Sequence, residues 1–385
     1  MVCATMRPAV GLQRRGQHLS MIAAVVPRRV LARSSALACG VITAIVLGAC
    51  GSASTGGAST KSPSSDTAPV LSVKVPTTRT LSGHLAPAPP LGTASQAAAE
   101  RPESAQFPPA DGRSLSKLTQ LVSGIATLAA ANAVFTPGAQ RFAFALTNKA
   151  QQFIYAPTAV YLATGPYAPA TGPYVAPDDP MGVAPQYRSK ENAAPGGLKA
   201  IYWTTVPLRS GVFDVLALTR EGPKLVGSTG VIAVAQSFNI PAVGQRPPAI
   251  ATDTLASVHG DVGLLTTRLP PENMHSVSFN QVLGKRPIAL LVSTPELCTS
   301  RVCGPVTDIV VQLQHQFGNR ITFIHQEVYV DNQPTKGLRP QLKAFHLQTE
   351  PWLFTIDRRG VIVGRLQGAF GVNEARQALE AALHN

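Results

Sequence analysis

The chain has 385 residues and carries 33 basic against 20 acidic side chains, a formal charge of +13. No basic run interleaves with aromatics, so the excess does not point to nucleic acid and suits anionic lipid or polymer instead. Once a signal and a linker are set aside, the length admits two folded domains at most.

Residues 1–49 read as a secretory signal. Arg28, Arg29 and Arg33 form a basic segment, an apolar run follows from Ala36 to Val46, and small residues precede Cys50. The run falls short of the about 20 apolar residues that a membrane-spanning helix needs. Residues 1–20 add little to such a signal, and Met21 offers a second start. The ending Leu47-Gly48-Ala49-Cys50 resembles the lipobox of bacterial lipoproteins. That resemblance implies cleavage before Cys50, a diacylglycerol on its thiol, and tethering to the outer face of the cell membrane. Removing the six arginines ahead of Cys50 lowers the charge from +13 to +7. Of the five cysteines, Cys3 and Cys39 leave with the signal and Cys50 is lipidated, so only Cys298 and Cys303 remain. An oxidising compartment favours pairing them.

From Cys50 to Arg113 the chain is rich in Ser, Thr, Gly, Pro and Ala, a composition that predicts a disordered tether over 50–113. Leu115, Leu118, Leu121, Val122, Ile125 and Leu128 suit a helical face, but Gly124 and the β-branched residues weaken it, and the segment stays unassigned. Over 134–243 the period changes to two. Phe142, Phe144 and Leu146 alternate with Arg141, Ala143 and Ala145, and Val160–Leu162, Ile201–Trp203, Phe213–Ala217 and Val231–Ala235 continue the pattern. Turn signals separate these runs, which predicts an all-β, immunoglobulin-like antiparallel sandwich. Residues 164–197, rich in Pro, Gly and Tyr, interrupt it as a long loop whose composition predicts disorder.

Beyond Gln245-Arg246-Pro247-Pro248 the continuous apolar run Ile288–Val292 reads as a strand covered on both faces. Val306, Ile309, Val310, Leu313 and Phe317 follow at helical spacing in a helix opening at Pro305 and stopped by Gly318-Asn319. Ile321–Ile324 predicts a strand and Pro340–Phe345 a short helix with Pro in its first turn. Trp352–Ile356 and Val361–Leu366 predict a hairpin, and Asn373 caps a final helix burying Ala375, Leu379 and Leu383. The order is β-α-β-α-β-β-α.

This order, with a cysteine at the first strand-to-helix junction and a proline opening the third strand, resembles the thioredoxin fold over 264–385. Pro270-Pro271, Ser278-Phe279 and Leu283-Gly284-Lys285-Arg286-Pro287 look like the lead-in of membrane-anchored thioredoxins and peroxiredoxins. Cys303-Gly304-Pro305 looks like the first three residues of the Cys-Gly-Pro-Cys motif, and Glu350-Pro351 stands where the family keeps its cis-proline. Val306 takes the place of the second motif cysteine, which leaves Cys298 as the partner. The resemblance implies a thiol–disulfide oxidoreductase in which Cys303 attacks, Cys298 resolves and Pro351 shapes the groove, or with the cysteine roles reversed. Its partners would be protein thiols or an envelope electron donor. In the opposing reading Cys298–Cys303 is an inert staple between two binding modules. Closing so short a ring stabilises by only roughly 2 kcal/mol in the chain-entropy model.

Around the pair, a Glu350 carboxylate would raise a neighbouring thiol pKa. His325 and Glu327 share a strand face as a satisfied polar pair, with Glu327 a possible proton acceptor for the thiols. His346 with both cysteines would make a copper-delivery-like metal site only with a spacing this chain lacks. No pattern implies a cofactor or metal, and none sets an oligomeric state.

Overall fold

A computed structural model describes residues 94–192 and 197–384. The signal, Cys50 and most of the tether lie outside the described residues. The described chain opens with α1 (Ala94–Ala99) and continues through α2 (Leu115–Thr119), so residues 94–113, expected within the tether, carry structure. The reason is Phe107, the one aromatic of that segment, which is buried with Leu115 and Leu118. Backbone carbonyls there are also claimed: Tyr161 Oη donates to Pro108 O at 2.6 Å and Arg220 Nε to Gln106 O at 2.8 Å. The undecided stretch after α2 proves to be two short strands, β1 (Gly124–Ile125) and β2 (Thr127–Ala130).

The β-rich region continues with β3 (Gly138–Thr147), β4 (Thr158–Ala163), β5 (Thr171–Val175), β6 (Asp178–Pro180), β7 (Ala200–Leu208), β8 (Gly211–Glu221) and β9 (Lys224–Val234). They form two sheets, ordered β1-β9-β8-β4-β5 and β2-β3-β7-β6. Phe142, Phe144 and Leu146 of β3 join Val160 and Leu162 of β4 and Tyr202 and Val206 of β7 in one apolar cluster between the sheets. Stacked rings at Phe142–Phe144 (5.1 Å) and Phe144–Tyr202 (5.4 Å) contribute about 0.5–1.5 kcal/mol each beyond area burial.

The stretch 164–197, expected to be disordered, instead carries β5 and β6. Its order comes from distant partners that local composition does not reveal. Met181 and Val183 are buried among the helices of the second region. Only residues 193–196 of that stretch fall outside the described chain.

The second region is α/β: α3 (Phe279–Val282), β10 (Ile288–Val292), α4 (Cys303–Phe317), β11 (Thr322–Gln326), α5 (Pro340–Ala344), β12 (Trp352–Ile356), β13 (Ile362–Gln367) and α6 (Val372–His384). The sheet order is β11-β10-β12-β13, with β10 parallel to β11 and antiparallel to β12. β10 is central and buried on both faces, which is why its sequence is apolar throughout. Ile288, Leu290 and Val292 face the side of Phe279, Leu342 and Phe345, while Ala289 and Leu291 face α4 and α6.

That second cluster does not stop at the region's edge. Ala143 and Ala145, on the reverse of β3, and Ile201 of β7 belong to it together with Ile309, Val310, Leu313 and Leu379. The sheet β2-β3-β7-β6 is therefore covered twice, by its partner sheet and by α4 and α6. Alanine at the alternate positions of β3 lets the helices approach. The cap of α6 also crosses over: Asp179, not Asn373, supplies it, accepting from Asn373 N (3.0 Å) and Glu374 N (2.7 Å). The 245–262 connection is bound as well, with Gly244 and Gln245 exchanging backbone hydrogen bonds with Ile362.

Candidate functional site

The loop after β10 runs from Ser293 to Val302 and delivers Cys298, and α4 begins at Cys303, two residues earlier than the sequence suggests. Arg301 adopts φ 58° and donates its N–H to Cys298 O at 3.1 Å, which folds the loop back over the helix start. Both cysteines are free thiols. Their environments differ: Cys298 keeps 6% exposure and Cys303 has none.

This difference sorts the protons. The Cys303 thiol hydrogen-bonds to Cys298 and pulls its pKa down to about 6 against the opposing effect of burial. Ser300 Oγ, 3.2 Å away, and the N–H groups of Cys303 and Val302 act in the same direction. Burial pushes Cys303 well above the ordinary thiol range, and the Cys298 charge adds to it, while Thr294 N–H works against it. The stable microstate is a thiolate on Cys298 and a thiol on Cys303. A position at the start of a helix by itself favours a thiolate at Cys303. Complete desolvation outweighs the helix end there.

Glu350–Pro351 is a cis peptide at the start of β12. Burial, then the charge on Cys298, raises the Glu350 carboxyl to about 7. Tyr329 completes the setting: burial raises its phenol, and Glu350 and both cysteines add to that shift. Cys298, Cys303, Pro351 and Glu350, singled out in the sequence, thus share one locality. Tyr329 and Thr294 N–H were not legible there, because a lone Tyr in a loop and a backbone amide carry no pattern.

His325 and Glu327 do not bond to each other. His325 contacts Glu272 Oε1 through Nδ1 at 2.7 Å, and Glu327 Oε1 accepts Thr267 N and Oγ1, both at 2.7 Å. Burial works to raise the Glu272 carboxyl, but His325 and His275 overcome it and hold it well below the usual range. His346 is exposed at the end of α5.

One feature bears on access. A side chain cannot be added at Gly304, because its Cβ would lie 2.9 Å from Glu191 Cβ and 3.0 Å from the Glu191 backbone. The turn Lys190–Asn192 is held there by Lys190 N donating to Leu269 O (2.9 Å) and Leu269 N to Glu191 Oε2 (3.1 Å). Ser189 N and Asn192 Nδ2 reach Asp308 Oδ2 on α4, each at 2.9 Å, and Asp308 Oδ1 takes Arg268 Nε at 2.9 Å. The β-rich region thus covers the flank of the helix that carries Cys303.

No protein-family model matches the chain, and comparison with curated proteins gives no match. No described helix is long and apolar enough to cross a membrane.

Proposed function

We propose that the chain is a membrane-tethered, extracytoplasmic thiol–disulfide oxidoreductase. It would be held by lipid on Cys50, with an immunoglobulin-like sandwich over 134–243 and a thioredoxin-like domain over 264–385. The observation that carries this is the split pair: a Cys298 thiolate hydrogen-bonded by a buried Cys303 thiol beside a cis Glu350–Pro351. A thiolate with a pKa near 6 is formed at neutral pH and is the species that attacks a disulfide.

The cysteine roles follow from protonation and exposure. Cys298 attacks a disulfide sulfur of the substrate, forming a mixed disulfide and releasing one substrate thiolate. Cys303 gives its proton to the Glu350 carboxylate and attacks Cys298 Sγ. The second substrate sulfur leaves as a thiolate, which takes the proton back from Glu350, and Cys298–Cys303 becomes the disulfide. The substrate gains two electrons and the protein loses two, which a dithiol donor of the envelope restores. Pro351 borders the groove.

Trapping tests this. Cys303→Ser should accumulate a mixed disulfide through Cys298, and Cys298→Ser should not. Accumulation only in Cys298→Ser would reverse the roles, and none in either would remove the activity. The cover over Gly304 favours a second reading, a non-catalytic binding protein with inert cysteines, in which neither variant traps anything.

A further inference from the structure

We propose that Glu272, His275 and His325 form a buried binding site for a divalent transition-metal cation, zinc by chemical class, separate from the cysteines. Glu272 Oε1 lies 2.6 Å from His275 Nε2 and 2.7 Å from His325 Nδ1, and the donor atoms all fall within 4.8 Å of one another. Two imidazoles and one carboxylate are a recurrent zinc ligand set. Imidazole nitrogens favour zinc-like cations over magnesium or calcium. A tetrahedral ion about 2.0–2.2 Å from each donor needs donors roughly 3.4 Å apart, which small side-chain rotations supply.

Three further observations support a cation. Ser293 O, an acceptor only, sits 3.1 Å from His325 Nε2. With Ser293 Oγ, 2.9 Å from the same nitrogen, it can hold the proton on Nε2 and so leave Nδ1 free to ligate, as the outer shell of a metal site does. Without a cation, an imidazolium can instead donate Nδ1–H to the carboxylate, so proton and metal compete for this site. Thr266 Oγ1 donates to Glu272 Oε2 at 2.8 Å, orienting the carboxylate in the same manner. A second buried carboxylate lies close by. Glu327, two residues along from His325 and 1% exposed, leaves Oε2 without a partner. The nearby Arg268 is committed to Asp308.

The chain holds the ligands firmly. His325 N donates to Met274 O at 3.0 Å, so the 272–275 segment is pinned along the edge of β11. Ser293 Oγ contacts Thr307 Oγ1 (2.9 Å), which donates to Cys303 O (2.7 Å), so the site buttresses the first turn of α4. The inference does not depend on the thiol chemistry.

The test uses the full chain, because the ligands are buried. Wild type and a C298S/C303S variant are refolded with Zn(II), stripped of loose metal with a weak chelator, and assayed for bound zinc. Co(II) replaces zinc for absorption spectra. About one zinc should remain in both proteins, and the Co(II) spectrum should show nitrogen and oxygen ligation without a thiolate band. The isosteric variant E272Q, and separately H275A, should weaken binding at least about 10-fold while circular dichroism stays native. Loss of zinc in C298S/C303S would place it on the thiols and overturn the proposal. So would native-like binding by E272Q or H275A, or no zinc in refolded wild type, which would leave an imidazolium–carboxylate cluster.

Discussion

At the scale of the residue, two thiols five positions apart have opposite protonation because one is wholly buried and the other is reached by donors. Alkylation of Cys298 should follow its thiolate, rising with pH through a midpoint near 6. Cys303→Ala removes the first of those donors, so the midpoint should move toward the ordinary thiol range; an unmoved midpoint would mean that Ser300 and the backbone amides suffice. Glu350 gives the next prediction. Its pKa is raised to about 7, so the folded state binds the proton more tightly than the unfolded chain does. Wild-type stability relative to Glu350→Gln should fall as pH rises from the ordinary carboxylate range to about 7, then level off. Chemical denaturation of both proteins across that range checks the sign.

At the scale of the element, the α6 terminus shows what sequence does and does not carry. Periodicity marks Ile288–Val292 as a doubly covered strand and Val306–Phe317 as a helical face, because burial in a regular element repeats at fixed spacing. The cap of α6 has no such signal, since Asp179 arrives from almost 200 positions away. Composition misreads 164–197 for the same reason: Pro, Gly and Tyr look loose, yet Met181, Val183 and Asp179 are fixed by α4 and α6. In the candidate site, the placement of Cys303 and Pro351 is legible from order and motif, whereas the lowered pKa of Cys298 depends on hydrogen-bond donors that no spacing encodes. A Cβ on Gly371 would lie 2.2 Å from Asp179 Cγ. Gly371→Ala should therefore destabilise by about 1–3 kcal/mol, as overpacking does, measured by urea unfolding. The Lys190–Asn192 turn makes a further test at this scale. Asn192→Ala together with Glu191→Ala removes its side-chain bonds to Asp308 and Leu269, and should speed alkylation at Cys303. An unchanged rate would show that the turn does not limit access.

At the scale of the whole molecule, the apolar cluster shared by β3, β7, α4 and α6 joins the two regions. Residues 264–385 expressed alone would expose the faces of Ile309, Val310 and Leu379 that Ala143, Ala145 and Ile201 help to cover. The fragment should aggregate or unfold at lower denaturant than the intact chain. A soluble, equally stable fragment would show the joint to be dispensable. Such a joint also gives the thiol site a wall that a free-standing domain would lack, at Gly304. Whether that site exchanges electrons is the central claim, and the reduction potential of the folded full chain in graded dithiol buffers tests it most directly. The account predicts that Cys298 and Cys303 form and break a disulfide without unfolding, at a potential above about −300 mV. A pair that never oxidises in the folded protein, or whose disulfide resists reduction until the chain unfolds, would contradict it.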